Sequence, residues 1–199
     1  PNLAGTVGDS DLSGHFTASR RNERLFFDGD FRSASLDFDD LMAVLGGSPD
    51  PGETASPEQR ATAANLEATG RILPDARLDI SRVRNMDARV SYRAARVRTD
   101  KLPLRGLAVD VNLDRGLLQL DPLTLTLNQG RLGGAVALDA REDVPRVDLD
   151  MRLTDARLDS IFVRNGRPAV TGALTGRMRL SGVGASAREA AAHSNGAVT

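Results

Sequence analysis

The chain has 199 residues, enough for one sizeable domain or two small ones. Its 26 basic and 27 acidic residues give a formal net charge of -1, so it lacks the basic excess with which nucleic-acid-binding proteins neutralise phosphates. The lack of cysteine excludes disulfides, thiol chemistry and Cys-ligated metal sites, and no apolar run approaches the ~18 residues of a membrane span. We expect a globular fragment of a longer protein, because the chain opens at Pro1 without Met and closes on a predicted turn entering a strand.

In the first half of the chain, apolar residues alternate with a period of two, which predicts strands with one apolar face. Between the early and later strands we predict a helix that follows Leu36 and runs through Asp39 to Gly46, then a flexible loop and a short Ala-rich helix within 45–69, which opens at Ser56-Pro57. The predicted strands are Phe16–Ala18, Leu25–Phe31, Leu78–Ile80, Met86–Tyr92 and Ala95–Thr99.

In the second half the alternation is stronger and the predicted links are shorter. The predicted strands are Leu107–Leu113, Leu123–Leu127, Leu132–Leu138, Val147–Leu153 and Leu174–Leu180, and a short helix is predicted over 186–194. Turn residues stand at Arg21–Glu23, Asp114–Gly116, Asp121-Pro122, Asn128–Gly130 and Glu142–Pro145. Links this short favour antiparallel neighbours, so the sequence predicts an antiparallel meander.

An internal repeat supports a propagating sheet. The letters of Asp75–Asp79 recur at Asp155–Asp159, and Ser33–Asp37 is a looser copy. A longer unit matches Gly14 and Phe16 with Gly134 and Val136, with a predicted turn two residues longer in the second copy. Repeated hairpins of this kind indicate an extended sheet.

About ten predicted strands each have one apolar face that must be shielded from water. Two or three short helices are too few to cover these faces. The sheet either closes on itself as a sandwich or barrel, or curls into a trough that receives an apolar ligand. Aromatic residues make up only 4% of the chain, which modestly favours the trough. We therefore predict an all-β fold over 1–199: an extended, strongly curved antiparallel sheet that forms a groove, with two or three short helices.

The candidate binding residues are the apolar members of the strongest strands, predicted to line one continuous surface. They are Leu107, Val109, Val111, Leu113, Leu123, Leu125, Leu127, Val147, Leu149, Met151, Leu153, Leu174, Met178 and Leu180. From the residues alone, a closed core remains an alternative to an open lining.

No residue pattern requires catalysis, a metal or a cofactor, and we expect none of the three. Ser13 and His15 share a strand face without a nucleophile elbow, and Gly133-Gly134 does not complete a phosphate loop. The carboxylates at Asp28, Asp30, Asp37, Asp39 and Asp40 lack the spacing of an EF-hand, and a headgroup site at Arg93, Arg96 and Arg98 is less favoured than a solvated strand face. His193 is interpreted as a dipole partner at a helix end.

Several short motifs occur in an order that resembles the AsmA family. They are Lys101–Leu107, Asp114–Leu123 and Gly130–Gly134 in the centre, Gly8–Gly14 with Leu36-Asp37 and Leu41 near the start, and Leu180–Gly184 near the end. The resemblance covers nearly the whole chain, and its specificity lies in the order of the motifs.

The resemblance implies a stretch toward the C-terminal half of a larger periplasmic protein of a diderm bacterium, anchored in the inner membrane by a helix outside this chain. It also implies a β-taco-like groove, similar to those of bridge-like lipid transfer proteins, that binds phospholipid acyl chains and helps to move phospholipid toward the outer membrane. The expected partners are therefore lipid and the envelope membranes. The alternatives are a non-catalytic structural scaffold and a carbohydrate-active or hydrolytic β-domain.

Overall fold

The computed structural model describes residues 2–37, 80–98, 104–157, 163–164, 167–168, 171–184 and 195–199. Most of these residues lie in strands, as their period-two alternation predicts. The elements are β1 (Asn2–Val7), β2 (Ser10–Arg21), β3 (Arg24–Ser33), β4 (Leu36–Asp37), α1 (Ile80–Asn85), β5 (Met86–Ala94), β6 (Val97–Arg98), β7 (Leu104–Asp114), β8 (Leu117–Leu127), β9 (Arg131–Asp139), β10 (Arg146–Arg157), β11 (Val163–Arg164), β12 (Arg167–Pro168), β13 (Ala173–Val183) and β14 (Asn195–Val198).

Ten of the strands form one sheet, in the order β1-β2-β3-β5-β7-β8-β9-β10-β13-β14. The sheet is open and curved, and its first and last strands do not pair to close a barrel. The predicted all-β fold with a large curved sheet is therefore confirmed. Two further pairs of strands, β4-β6 and β11-β12, form two-stranded ribbons that are separate from the main sheet.

One pairing departs from the predicted meander. β3 and β5 run parallel, with Leu25 opposite Met86 and Ser33 opposite Ala94, whereas the other neighbours in the sheet are antiparallel. Parallel neighbours need a crossover of a dozen residues or more, and the chain between β3 and β5 supplies that length. The parallel pair joins an N-terminal group of three strands to a C-terminal group of seven.

Two predicted turns form tight two-residue hairpin loops. Asn22 and Glu23 link β2 to β3, and Arg115 and Gly116 link β7 to β8, all four with positive φ. Two positive φ values in succession are the geometry of a type I′ turn, whose twist matches that of the flanking strands.

The predicted turn at Asp121-Pro122 is wrong, because β8 runs through both residues. The pairing of β8 shifts register between Leu120 and Leu123, which marks a bulge. Proline inside a sheet is confined to edges and bulges, since it has no N–H to donate. The extra residue changes the phase of the alternation, so Leu118 and Leu120 share a face with Leu123 and Leu125.

Two further differences from the prediction occur near the N-terminal strands. Ile80 begins α1 instead of ending a strand, and β1 is a strand that the alternation does not predict. The helix predicted to follow Leu36 lies outside the described residues from residue 38 onward; before it, Leu36-Asp37 pairs with Val97-Arg98, and the Leu36 amide donates to the Arg96 carbonyl at 2.9 Å. The predicted loop and helix within 45–69 and the predicted helix over 186–194 lie outside the described residues.

The repeated hairpin has the same pairing in both copies. Gly14 is opposite Phe31 and Gly134 is opposite Met151, at the same separation in sequence. The extra residues of the second copy therefore lie after Met151, where β10 shifts register between Leu153 and Ala156, and not in the turn as expected.

A side-chain clamp fixes the chain as it leaves β3. The Asp11 carboxylate accepts hydrogen bonds from the amides of Ala34 and Ser35, and Ser10 Oγ accepts one from the Asp37 amide. These bonds hold the pKa of Asp11 below its usual value. Asp11 belongs to the Gly8–Gly14 motif, so this motif positions the short ribbon β4-β6.

Candidate functional site

The apolar side chains of neighbouring strands align in rows that cross the whole sheet. One row passes through all ten strands and consists of Leu3, Gly14, Phe31, Tyr92, Val109, Leu123, Gly134, Met151, Met178 and Val198. A second row consists of Phe16, Gly29, Val90, Val111, Leu120, Val136, Leu149, Leu180 and Gly196. The rows show that one face of the sheet is apolar from edge to edge; we call it the apolar face.

The apolar face is longest across the strands and not along them. Adjacent strands lie about 4.8 Å apart, so the nine steps of a ten-strand row span about 43 Å. The hydrocarbon core of a bilayer is about 30 Å thick, which leaves about 15 Å for the acyl chains of one leaflet. A row is therefore long enough for more than one acyl chain end to end.

All fourteen predicted lining residues lie on the apolar face. Val109, Leu123, Met151 and Met178 are in the first row, and Val111, Leu149 and Leu180 are in the second. The remaining positions pair as Leu107 with Leu125, Leu132 with Leu153, Leu113 with Leu118, Leu138 with Val147, Leu104 with Leu127, and Ala156 with Leu174. Their role in binding lipid stays a prediction.

Sequence reasoning missed the contribution of the N-terminal strands to this face. Phe16, Phe31 and Tyr92 extend the two rows onto β2, β3 and β5. Their alternation was visible in the sequence, but only the parallel β3-β5 pairing places them beside Val109. Leu118 and Leu120 were missed because the bulge at Pro122 changes the phase of β8.

Much of the apolar face is only partly covered by the described residues. Of the fourteen predicted positions, Leu107, Leu113 and Met151 are buried, whereas Leu174 is 43% exposed and the rest are half-buried. A closed sandwich core would bury these side chains almost completely. Among the described residues, the apolar face is therefore an open surface and not a closed core.

The ribbon β4-β6 covers one border of the apolar face. Leu36 and Val97 from the ribbon form a buried cluster with Ala94, Leu104 and Leu107, and Tyr92, Leu123, Leu125 and Leu127 pack against it. The Tyr92 hydroxyl donates to Ser33 Oγ, which donates to the Asp11 carbonyl. Burial raises the pKa of Tyr92. Through Ser33, the Tyr92 hydroxyl is linked by hydrogen bonds to Asp11, the central residue of the clamp.

Helix α1 lies at the opposite border, at the strand ends formed by the β2-β3 and β7-β8 hairpins. Arg84 donates hydrogen bonds to the carbonyls of Ala140 and Glu142, beyond the end of β9. Arg24 donates to the Arg84 carbonyl at 2.6 Å and pairs with Asp87 at 2.9 Å. Hydrogen bonds therefore hold α1 to β3 through Arg24, and to the residues that follow β9 through Arg84.

The opposite face of the sheet is polar and carries ion pairs. Arg177 and Arg179 both pair with Asp150, and the Arg177 guanidinium holds the pKa of that carboxyl down at about 2. Arg93 pairs with Asp110 at 2.8 Å and lowers its pKa. The charged side chains of this face are hydrated and paired with one another, so this face is in contact with water.

The residues considered for other chemistry do not assemble into a reactive site in the described parts of the chain. Ser13 Oγ donates to the Arg32 carbonyl at 3.1 Å and not to His15. No group of three His, Cys, Asp or Glu side chains that could hold a metal occurs among the described residues. Arg98, which was considered for a headgroup site but assigned to a solvated strand face, lies near the carboxylates of Asp9 and Asp37. Asp39, Asp40 and His193 lie outside the described residues.

Within the described ranges, no helix is long and apolar enough to cross a bilayer.

The comparison with known proteins decides the family. The AsmA family profile matches residues 1–199, the whole chain. The chain belongs to the AsmA family. It is also 25% identical to the AsmA family protein YhjG of Escherichia coli (strain K12) over 196 residues, which are 96% of this chain and 29% of that relative. No solved structure matches the chain significantly. The predicted AsmA resemblance is therefore confirmed, and the chain spans less than a third of the YhjG length.

Proposed function

We propose that this AsmA segment binds lipid acyl chains on its apolar face and helps to move phospholipid toward the outer membrane. Family membership supports a role in envelope lipid transport or outer-membrane assembly. The observation that carries the finer proposal is the pair of in-register apolar rows across the sheet, with most of their side chains only half-buried.

In the proposed mechanism, the apolar face binds lipid and directs its movement, and no chemical reaction is catalysed. A lipid lays its acyl chains along a row, because removing apolar surface from water stabilises the bound state by about 25 cal/mol per Å². Successive positions along a row present similar aliphatic groups, so a chain can shift from strand to strand at little cost in contacts. The headgroup stays toward water at the strand ends.

The proposed setting is the periplasm, as part of a protein anchored in the inner membrane by segments outside this chain. The proposed partners are phospholipid and, through those other segments, the inner and outer membranes. No cofactor is needed for binding of this kind, since apolar contact supplies the stabilisation.

Val111 tests the proposal because it lies in the second row, between Val90 and Leu120. Val111→Asp places a carboxylate in the acyl path, which we expect to cost several kcal/mol to an apolar ligand there. The measurement is photocrosslinking of a phospholipid that carries a reactive group on its acyl chain, together with the melting midpoint of each variant. Thr126→Asp is the matched control, because it adds the same charge on the polar face of the neighbouring strand β8, where Thr126 is exposed.

We expect Val111→Asp to lose most of the crosslinking with little loss of stability, and Thr126→Asp to keep the crosslinking. Because Val111 is half-buried in an open face, its new carboxylate can remain hydrated when lipid is absent. Unfolding of Val111→Asp alone would indicate a closed core and favour the scaffold alternative. Unchanged crosslinking in a folded Val111→Asp variant would contradict the proposal directly.

A further inference from the structure

Four arginines surround a depression on the polar face, at the tips of the β2-β3 and β7-β8 hairpins. Its volume is about 560 Å³, and its charged lining consists of Arg21, Arg24, Arg89, Arg115, Asp87 and Asp114. We call it the hairpin-tip depression. It contains more guanidinium groups than carboxylates, in a chain whose net charge is -1.

Both carboxylates of the depression are already engaged. Asp87 Oδ1 accepts hydrogen bonds from Arg24 Nη2 at 3.0 Å and from the Arg115 amide at 2.8 Å, and its Oδ2 accepts one from Arg24 Nε at 2.9 Å. Asp114 Oδ1 pairs with Arg115 Nε at 3.2 Å. Arg24 and Arg115 therefore neutralise the acidic side chains of the depression.

The other two arginines have no carboxylate partner among the described residues. The Arg21 guanidinium lies 3.8 Å from the centroid of the Phe26 ring, a stacked position that leaves its N–H groups free to donate at the guanidinium edge. Arg89 is opposite Asp28 on β3 and Asn112 on β7, but it forms no ion pair with Asp28. Two guanidinium groups thus remain available for an anion.

We propose that the hairpin-tip depression binds the phosphate group of a phosphate ester through Arg21 and Arg89. Guanidinium groups donate two parallel hydrogen bonds to phosphate oxygens, and two such groups match the charge of a phosphate ester. Arg89 lies between this depression and a neighbouring one that contains Asp28, Asp30, Asp110 and Asp121, and that acidic lining disfavours an anion on its side of Arg89.

The position of the depression connects it to the border of the apolar face. Arg24, which lines the depression, also donates to the Arg84 carbonyl of α1. A phosphate held at these strand ends can belong to a soluble ester or to the headgroup of a lipid. Phosphate binding at this site depends only on the charged residues of the hairpin-tip depression. It does not require that acyl chains bind the apolar face.

The test measures binding of glycerol 3-phosphate by calorimetry, and of vesicles of phosphatidylglycerol or phosphatidylcholine by sedimentation, to the whole chain. The test variant is Arg21→Gln/Arg89→Gln. The matched control is Arg131→Gln/Arg152→Gln, which removes the same charge from two exposed strand positions outside the depression. We expect binding by the test variant to weaken on the order of tenfold, and binding by the control to stay within about twofold.

The two probes distinguish the source of the phosphate. Binding of glycerol 3-phosphate that depends on Arg21 and Arg89 supports the site with a soluble ester as a ligand. Binding of phosphatidylglycerol vesicles alone, with the same dependence and no binding of phosphatidylcholine, supports a headgroup site. Equal weakening in the control, or no binding of either probe by the native chain, overturns the proposal.

Folding is monitored by the melting midpoint of each variant. If the double variant does not fold, Arg21→Gln alone repeats the test, because Arg21 is exposed and stacks on the Phe26 ring. Loss of phosphate binding with intact acyl crosslinking, or the reverse, shows which of the two sites fails.

Discussion

Glycine at two equivalent positions allows the strands of the repeated hairpin to approach closely. A Cβ on Gly14 would lie 2.1 Å from the Asp30 carbonyl oxygen, and one on Gly134 would lie 2.0 Å from the Asp150 carbonyl oxygen. Both contacts are with backbone, which cannot rotate away as a side chain can. Phe31 and Met151 stand opposite these glycines and fill the space above them on the apolar face.

We predict that Gly134→Ala destabilises the chain by about 2 kcal/mol, the usual scale of overpacking in a tight site. The added methyl would also lie 2.9 Å from Met151 Cα, so β9 and β10 must shift apart. Chemical denaturation measures the change in the free energy of unfolding. Gly133→Ala is the control, because the nearest atom to its Cβ is 3.8 Å away. Equal destabilisation by both substitutions would show that loss of glycine, and not the close approach, is responsible.

At the scale of elements, α1 and the ribbon β4-β6 border the apolar face from opposite strand ends. Helix α1 and strand β4 were not predicted, because each depends on contacts with residues distant in sequence, whereas β6 lies within the predicted strand Ala95–Thr99. Arg84 reaches the carbonyls of Ala140 and Glu142, and Leu36 pairs with Val97. Short elements of two to six residues have little stability alone and form only when such contacts hold them.

We predict that Arg84→Ala releases α1 from the β9 end and lowers stability by about 1 kcal/mol, through loss of its hydrogen bonds to the two carbonyls. Hydrogen exchange should speed up at residues 80–85 while the central strands keep their protection. Arg141→Ala serves as the control, since Arg141 pairs with Asp139 and not with α1. Unchanged exchange in α1 of the Arg84 variant would mean that other contacts hold the helix.

At the scale of the whole molecule, the polar face determines the response to acid. Arg141 holds the pKa of Asp139 down at about 2, and Arg177 does the same for Asp150, from an ordinary value of 3.8. The pKa values of Asp11, Asp87 and Asp110 are also lowered, by backbone amides at Asp11 and by arginine at the other two. Depressed folded pKa values stabilise the fold while the carboxylates are charged.

We therefore predict that the melting midpoint is nearly constant from neutral pH to about pH 5 and falls between about pH 4 and pH 2. In this window the unfolded chain takes up protons that the folded carboxylates do not yet accept. Asp139→Asn and Asp150→Asn should each make the decline shallower, because each removes one group with a lowered pKa. A decline equally steep in the double variant would assign the acid sensitivity to other groups.

Local patterns in the sequence predicted the strands of the C-terminal part and the two-residue turns at Asn22-Glu23 and Arg115-Gly116. They also predicted the face on which Val109, Leu149 and Met178 lie. Alternation and turn chemistry are local properties, and a strand with one apolar face keeps that face whichever neighbour it pairs with. The ordered motifs also indicated the AsmA family, which the family profile confirmed.

How the strands join one another depends on contacts between residues distant in sequence. The parallel pairing of β3 with β5 brings Phe31 and Tyr92 into line with Val109, and the bulge at Pro122 brings Leu120 onto the same face. The hairpin-tip depression likewise combines Arg21 with Arg89 from separate parts of the chain. Pairing across a long connection depends on competition among all strands for partners, and no local sequence pattern encodes the outcome of that competition. Alternation within one strand depends only on which side of the sheet is in contact with water.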